Sequence, residues 1–221
     1  MSMPTFLPSG SIRGVIFDCD GVMIDSALAN KLFYNRILEY FGLPPMTQEQ
    51  ERYTMMSTAR QAMEYITPKA VHSELDRICR EEIVYRRDIM PLITIMPNFV
   101  EFATWLHQQG IRLAIHTNRI KRGIEHVLQS FAFPDYFNPI MTAEIAAPKP
   151  SPEGVHCIRK AWGYDARAML FVGDSPLDKA AAEAAGVPFA AFGNAGLVGD
   201  ICATDYMVLQ QALRPLLALG R

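Results

Sequence analysis

The sequence has no long apolar run, no closely paired cysteines and no excess of charge of one sign. Because no apolar run approaches the ~20 residues that a membrane-spanning helix needs, we expect no membrane partner. The 21 basic and 23 acidic side chains give a net charge of -2. That balance gives no reason to expect a nucleic-acid partner.

The cysteines and the N-terminus are informative about the compartment. Cys19, Cys79, Cys157 and Cys202 are scattered and form no C-x-x-C pair. This pattern is typical of reduced thiols and disfavours a disulfide framework or a zinc site. The segment Met1–Gly10 lacks the basic start and the apolar stretch of a signal peptide. We therefore predict a cytoplasmic protein.

The chain has 221 residues, half of them apolar, which is enough for a core with a smaller inserted domain. In residues 24–91 the apolar side chains recur at helical spacing. After Pro97, short apolar runs alternate with helical segments, and this order predicts right-handed crossovers and a parallel sheet. The strands predicted there are 111–116, 139–142, 168–172, 188–192 and 207–208.

These patterns predict an α/β fold with a doubly wound parallel sheet. The predicted core comprises residues 1–23 and 92–221, and an all-helical insertion occupies residues 24–91. Within the insertion, Thr58 and Gln61 have the spacing of a capping box. A single long helix is predicted from Pro68 to about Ile89.

Two aspartates leave the first predicted strand of the core. Residues 12–17 are mostly apolar, and Asp18-Cys19-Asp20-Gly21 follows them directly. Side chains at i and i+2 of an extended segment point to one side. Two carboxylates on one side repel each other unless a hard cation binds them or one takes a proton.

Other polar groups follow later predicted strands. Because the carboxyl ends of parallel strands meet at one edge of a sheet, where ligands bind, we expect these groups to converge. Three acids suit Mg²⁺, while a hydroxyl, backbone N–H groups and a lysine suit a phosphate. The combination indicates phosphoryl transfer. The groups are Asp18 with Asp20, Thr117 with Asn118, Lys149, and Asp174 with Asp178.

The order of these motifs resembles that of the haloacid dehalogenase superfamily, specifically the phosphatases with a helical cap domain (subclass I) of the phosphoglycolate phosphatase type. The matching segments are Asp18-Cys19-Asp20-Gly21-Val22, Thr117-Asn118, Lys149-Pro150 and Gly173-Asp174-Ser175-Pro176-Leu177-Asp178. The resemblance covers almost the whole predicted core. It implies a Rossmann-like core and a cap domain formed by the insertion.

The resemblance also implies catalytic and metal-binding roles. Asp18 would attack phosphorus and become an aspartyl phosphate. Asp20 would protonate the leaving alcohol and then activate water. The carboxylates of Asp18 and Asp174, together with the backbone carbonyl of Asp20, would hold Mg²⁺.

By the same resemblance, the phosphoryl oxygens would be held by Thr117, the N–H group of Asn118 and Lys149. Lys149 would also offset the repulsion between the phosphate and Asp18. Asp178 would be a supporting residue that orients Lys149 or metal-bound water.

The predicted function is Mg²⁺-dependent hydrolysis of small phosphomonoesters, with a small phosphorylated metabolite as the partner. The dehalogenase branch is disfavoured because its members as a rule lack the second aspartate, supplied here by Asp20. A phosphosugar mutase of the same fold stays open, as does a phospho-acceptor signalling module in which phosphorylated Asp18 switches partner binding. The run Thr117-Asn118-Arg119 is closer to the phosphoglycolate phosphatase type than to the mutase type.

The insertion departs from familiar relatives at Met55 and Met56, where many carry a glycine. Methionine side chains are adaptable, so a permissive apolar pocket is one interpretation, and packing within the cap is the other. Arg60 is a candidate for a second anionic group of the substrate. The alternative interpretation is that Arg60 is a solvated surface side chain. Arg119 is also interpreted as a solvated side chain.

Overall fold

The computed structural model describes residues 11–217, so the predicted absence of a signal peptide in Met1–Gly10 lies outside the described residues. The strands in this range are β1 (Gly14–Phe17), β2 (Ile24–Asp25), β3 (Thr94–Ile95), β4 (Arg112–His116), β5 (Phe137–Met141), β6 (Met169–Gly173), β7 (Phe189–Phe192) and β8 (Ile201–Ala203). The α-helices are α1 (Ala27–Tyr40), α2 (Gln48–Met56), α3 (Ala59–Ile66), α4 (Leu75–Glu81), α5 (Tyr85–Asp88), α6 (Phe99–Gln108), α7 (Lys121–Ser130), α8 (Glu153–Trp162), α9 (Pro176–Ala184) and α10 (Tyr206–Leu213).

Six strands form one parallel sheet in the order β5-β4-β1-β6-β7-β8. The chain moves outward from β1 to β4 and β5, then returns to β6 beside β1 and moves outward again to β8. The strand order therefore reverses between β1 and β6, which is where open α/β sheets bind ligands. The predicted α/β fold with a parallel sheet is confirmed.

The central strand β1 is covered on both faces because its side chains alternate. The Phe17 ring packs edge-on against Phe99 and Phe102 of α6, with centroids 5.5 and 6.1 Å away. Ile16 belongs instead to the buried cluster that includes Trp162 of α8. A Cβ atom at Gly14 would lie 2.4 Å from the Trp162 ring, so glycine lets the indole pack directly on the strand.

The chain divides into two compact units. One contains the sheet, ends at Met23 and resumes at Ile95, while the other spans Ile24–Thr94. The second unit contains helices α1 to α5, and the predicted capping box of Thr58 and Gln61 is present at the start of α3.

The predicted long helix from Pro68 to Ile89 is wrong. The structure has two separate helices there, α4 and α5. Between them Val84 is extended, and its N–H group donates to the Asp88 carboxylate at 3.0 Å. An acidic side chain thus takes a backbone donor that a continuous helix would need.

The strand predicted at residues 207–208 is also wrong. Met207 and Val208 lie in the first turn of α10, and both N–H groups donate to the Asp205 side chain at 2.9 Å. This N-cap starts a helix where the apolar pair alone resembles a strand. The last strand of the sheet is β8. Among the described helices, none combines the length and apolar composition that crossing a bilayer requires.

Candidate active site

The predicted site residues lie in loops that follow four parallel strands. Asp18 follows β1, Thr117 follows β4, Lys149 lies in the segment after β5, and Asp174 follows β6. The Asp18 N–H group donates to the carbonyl of Val172 in β6 at 3.0 Å, which continues the strand pairing into the loop after β1. The parallel sheet therefore brings together residues that lie up to 156 positions apart, from Asp18 to Asp174.

Lys149 is buried between two carboxylates. Its Nζ atom lies 2.7 Å from Asp18 Oδ1 and 2.6 Å from Asp178 Oδ1, and its side chain is 4% exposed. Burial alone would lower the pKa of this ammonium, but the Asp178 and Asp18 carboxylates raise it above its ordinary value. The lysine is therefore a fixed positive charge beside Asp18.

Asp178 is fixed from its other side by the start of α9. Its Oδ2 atom accepts from the backbone N–H of Ser175 at 3.0 Å and from the Ser175 hydroxyl at 2.6 Å. This reciprocal capping box leaves Oδ1 for Lys149. The Gly-Asp-x-x-x-Asp spacing therefore serves both to cap the helix and to orient the lysine.

The Asn118 side chain holds the backbone of Lys149. Asn118 Oδ1 accepts from the Lys149 N–H at 2.8 Å, and Asn118 Nδ2 donates to the Lys149 carbonyl at 3.3 Å. The family resemblance implied only a backbone role for Asn118. Its side-chain role was missed because no local pattern relates two positions that are 31 residues apart.

Thr117 is buried at the start of its loop. Its N–H group donates to the Met141 carbonyl at 3.0 Å, and its hydroxyl accepts from the Arg119 N–H at 3.1 Å. These bonds tie the loop to the end of β5 and fix the hydroxyl at the carboxyl edge of the sheet. Helix α7 begins two residues after Arg119.

Three carboxylates gather close enough to share one cation. Oxygen atoms of Asp18, Asp174 and Asp178 all lie within 4.8 Å of one another. Burial, followed by repulsion from Asp178, raises the pKa of Asp174 to about 7 and the pKa of Asp18 well above its ordinary range. The ammonium of Lys149 offsets only one of the three negative charges. This donor set fits a divalent cation.

The Asp20 side chain pairs with Arg119, a contact that was not predicted from the sequence. Its carboxylate forms two short bonds with the Arg119 guanidinium, at 2.7 and 2.6 Å. The Arg119 side chain is 12% exposed, so the interpretation of Arg119 as solvated is wrong. The sequence missed this contact because it depends on how β1 pairs with β4.

Gly21 makes room for Asp174. It has a φ of +73°, and a Cβ atom at this position would lie 2.0 Å from Asp174 Oδ2. The carbonyl of Asp174 accepts from Asn194 Nδ2 at 2.8 Å, a contact that no local sequence pattern predicts. Asp174 therefore has little freedom to move away from a side chain at residue 21.

Gly21→Ala is expected to weaken divalent-cation binding by about tenfold or more, because disturbing the groups that orient metal ligands typically costs that much affinity. Calorimetric titration with Mg²⁺ measures the effect. Gly110→Ala is the matched control, because Gly110 has a similar φ of +75° but no atom within 4 Å of the added Cβ. Equal losses of Mg²⁺ affinity in both variants would indicate that backbone strain, and not displacement of Asp174, causes the effect.

Two reactive residue types beside the site are structural. Cys19 is fully buried, and burial raises the pKa of its thiol well above the ordinary value. His116 packs edge-on against Phe171, and burial lowers the pKa of its imidazole to about 3. A thiol that stays protonated and an imidazole that stays neutral supply neither nucleophile nor acid at neutral pH.

The cap residues singled out in the sequence lie on α2 and α3. Met55 and Met56 form the end of α2, and Met55 lines a pocket of about 220 Å³ within the helical unit, together with Leu28 and Thr54. Arg60 is bonded to Glu64 and Asp76, at 2.5 and 3.0 Å. Its charge is therefore already offset by two carboxylates.

Comparisons with known proteins agree with this architecture. The sequence matches the family described as haloacid dehalogenase-like hydrolase over residues 15–192. Phosphoglycolate phosphatase 1 of Pseudomonas aeruginosa is 30% identical over 188 residues, which cover 81% of this chain and 68% of that protein.

Solved structures are also similar to this chain. A haloacid dehalogenase superfamily hydrolase of subfamily IA from Geobacter sulfurreducens has a TM-score of 0.74 and 35% identity, covering 93% of this chain and 98% of that one. A haloacid dehalogenase-like family hydrolase from Streptococcus pneumoniae has a TM-score of 0.77, covering 91% and 98%, and at 17% identity it supports the fold alone. The family predicted from the four motifs is thus confirmed, and the chain belongs to the haloacid dehalogenase-like hydrolases.

Proposed function

We propose that this protein is a Mg²⁺-dependent phosphatase that hydrolyses small phosphomonoesters through an aspartyl phosphate on Asp18. The observation that carries the proposal is the position of Lys149, whose ammonium lies 2.7 Å from Asp18 in a cluster with Asp174 and Asp178. A nucleophilic carboxylate can approach an anionic phosphate only if nearby positive charge offsets their repulsion.

In the first step, an oxygen of Asp18 attacks phosphorus, and the bond between phosphorus and the ester oxygen breaks. Asp20 gives its proton to that oxygen, so the product leaves as a neutral alcohol. The Thr117 hydroxyl, the Asn118 N–H group and Lys149 hold the phosphoryl oxygens during this transfer.

In the second step, water attacks phosphorus of the aspartyl phosphate. Asp20, now a carboxylate, takes a proton from the water, and the bond between phosphorus and Asp18 breaks to release inorganic phosphate. Both residues are then returned to the states in which the cycle began.

The proposed Mg²⁺ site uses the carboxylates of Asp18 and Asp174 and the backbone carbonyl of Asp20. Asp178 is a weaker candidate ligand because its two oxygens are engaged by Lys149 and Ser175. When bound, Mg²⁺ would supply positive charge that neutralises the transferring phosphoryl group.

The test is phosphate release from a panel of phosphorylated metabolites, with Mg²⁺ and with EDTA. The relatives named phosphoglycolate phosphatases make 2-phosphoglycolate the first substrate to try. Phosphate release that stops in EDTA supports the proposal. Isomerisation of a sugar phosphate without phosphate release would assign a mutase, and a stable phospho-Asp18 with negligible turnover would assign a signalling module.

Mg²⁺ binding is expected to weaken as the pH falls through 7. A protonated carboxyl group is a poor metal ligand, and the pKa of Asp174 is about 7 in the cation-free protein. Below that pH the cation must displace a proton, so the apparent affinity should fall by up to about tenfold per pH unit. Calorimetric titrations at pH 6, 7 and 8 measure the trend, and an affinity that is constant over this range would contradict it.

A further inference from the structure

Arg119 and Asp20 form a two-bond ion pair between two loops of the sheet unit. Arg119 Nε donates to Asp20 Oδ2 at 2.7 Å, and Nη2 donates to Asp20 Oδ1 at 2.6 Å. The exposed fractions of the two side chains are 12% and 22%. Both carboxylate oxygens are therefore held, in a partly buried place where water screens the pair less than at an open surface.

The backbone of Arg119 is itself fixed. Its N–H group donates to the Thr117 hydroxyl at 3.1 Å, and its carbonyl accepts from the Ala143 N–H at 3.1 Å. The guanidinium therefore extends from a loop that is closed by the Thr117 hydroxyl and tied to the segment after β5. The same loop carries Thr117, a proposed phosphate ligand.

A two-bond contact restricts a carboxylate more than a single charge does. Aspartate has a short side chain that rotates about two bonds, and a guanidinium fork fixes both the position and the plane of its carboxylate. A lysine at this position would offer a point charge without the fixed geometry. Proton transfer depends on such placement, because small errors in position cost large factors in rate.

We propose that Arg119 is a positioning residue that holds the Asp20 carboxylate in place to take a proton from the attacking water. This inference rests on the proposed phosphatase function. In the second step one oxygen of Asp20 accepts the proton from water, while the other keeps its bond to Arg119. The phosphorus–Asp18 bond then breaks as described above.

The experiment compares Arg119→Gln and Arg119→Lys with the wild type, using 2,4-dinitrophenyl phosphate. This leaving group departs without a proton, so formation of the aspartyl phosphate does not need Asp20. The parameter kcat/KM then reports only the steps up to that intermediate, while kcat includes its hydrolysis. The two parameters separate the two steps.

For Arg119→Gln we expect kcat to fall by about 10- to 100-fold, a part of what acid–base catalysis contributes, while kcat/KM stays within about threefold. The slow hydrolysis should produce a burst of dinitrophenolate and a phosphorylated protein detectable by mass. The kcat of Arg119→Lys should lie between that of Arg119→Gln and that of the wild type. A Lys variant indistinguishable from the wild type would overturn the role of the two-bond geometry.

The second readout is a double-mutant cycle with Asp20→Asn. If Arg119 acts through Asp20, Arg119→Gln should change kcat by less than about twofold in the Asp20→Asn background. Two results would overturn the proposal: the same loss in both backgrounds, or an equal fall of kcat and kcat/KM in the single variant. The latter would place Arg119 on the substrate itself.

Arg122→Gln is the matched control, since Arg122 is exposed on α7 three residues away. Its kinetics should equal those of the wild type, and thermal unfolding of all variants checks that the fold is kept. Failure of the phosphatase proposal would appear differently, as absent turnover in the wild type. An active wild type with unchanged Arg119 variants would overturn only the positioning role.

Discussion

Replacing Asp18 with asparagine is expected to lower phosphatase turnover by about 10⁴-fold or more, because an amide cannot form the covalent intermediate. The fold should be kept. Burial, followed by repulsion from Asp178, raises the pKa of Asp18 well above its ordinary value, so its ionised form is costly in the folded protein. A neutral amide of the same shape removes that cost.

Release of p-nitrophenol from an aryl phosphate measures the loss, and thermal unfolding measures stability. The melting temperature of Asp18→Asn should equal or exceed that of the cation-free wild type. Asp165→Asn is the matched control, because Asp165 is exposed and precedes β6 at the opposite end of the strand from Asp174. Turnover by Asp18→Asn near the wild-type rate would remove Asp18 from the nucleophile role.

Lys149→Met is expected to impair both activity and stability. Loss of a charged donor to the phosphoryl group should lower kcat/KM by about 10³-fold, as loss of a transition-state donor does. The change also leaves Asp18 and Asp178 without the ammonium that contacts both. Removing one partner of a buried ion pair typically costs about 3 kcal/mol of the free energy of unfolding.

The stability loss caused by Lys149→Met should increase as the pH rises. Without the ammonium, the pKa of Asp18 in the folded protein should rise further above its unfolded value. The folded state then binds more protons than the unfolded state, so stability falls as the pH rises between those two values. The deficit relative to the wild type should therefore be larger at pH 8 than at pH 5.

Urea unfolding at these two pH values measures the trend, and added Mg²⁺ should reduce the deficit at pH 8 by replacing the lost positive charge. Lys160→Met is the control, because Lys160 is exposed on α8. A deficit that is the same at both pH values would indicate lost packing of the lysine stem rather than uncompensated carboxylates.

Most of the sheet could be predicted from local sequence patterns. Buried strands such as β1 and β6 are short apolar runs bounded by glycine and polar residues, and such runs can be recognised in the sequence alone. The errors fall where a side chain competes for backbone hydrogen bonds. Asp88 interrupts the predicted long helix, and Asp205 starts a helix in place of a strand.

The prediction of the site residues depended on a different property of the sequence. Asp18, Lys149 and Asp174 each follow a strand, and a parallel sheet places all such loops at one edge. Their convergence could thus be expected without knowledge of any distance. Their roles in catalysis stay predictions that the variants above test.

The sequence by itself determined the α/β fold, the family and the residue types at the carboxyl edge, because strand order and motif order are properties of a linear pattern. The tertiary structure alone decided which groups are paired. Lys149 lies between Asp18 and Asp178, and Arg119 holds Asp20, because strands distant in sequence are neighbours in the sheet. Such contacts depend on distances of a few ångströms between side chains, and spacing along a chain carries no information about them.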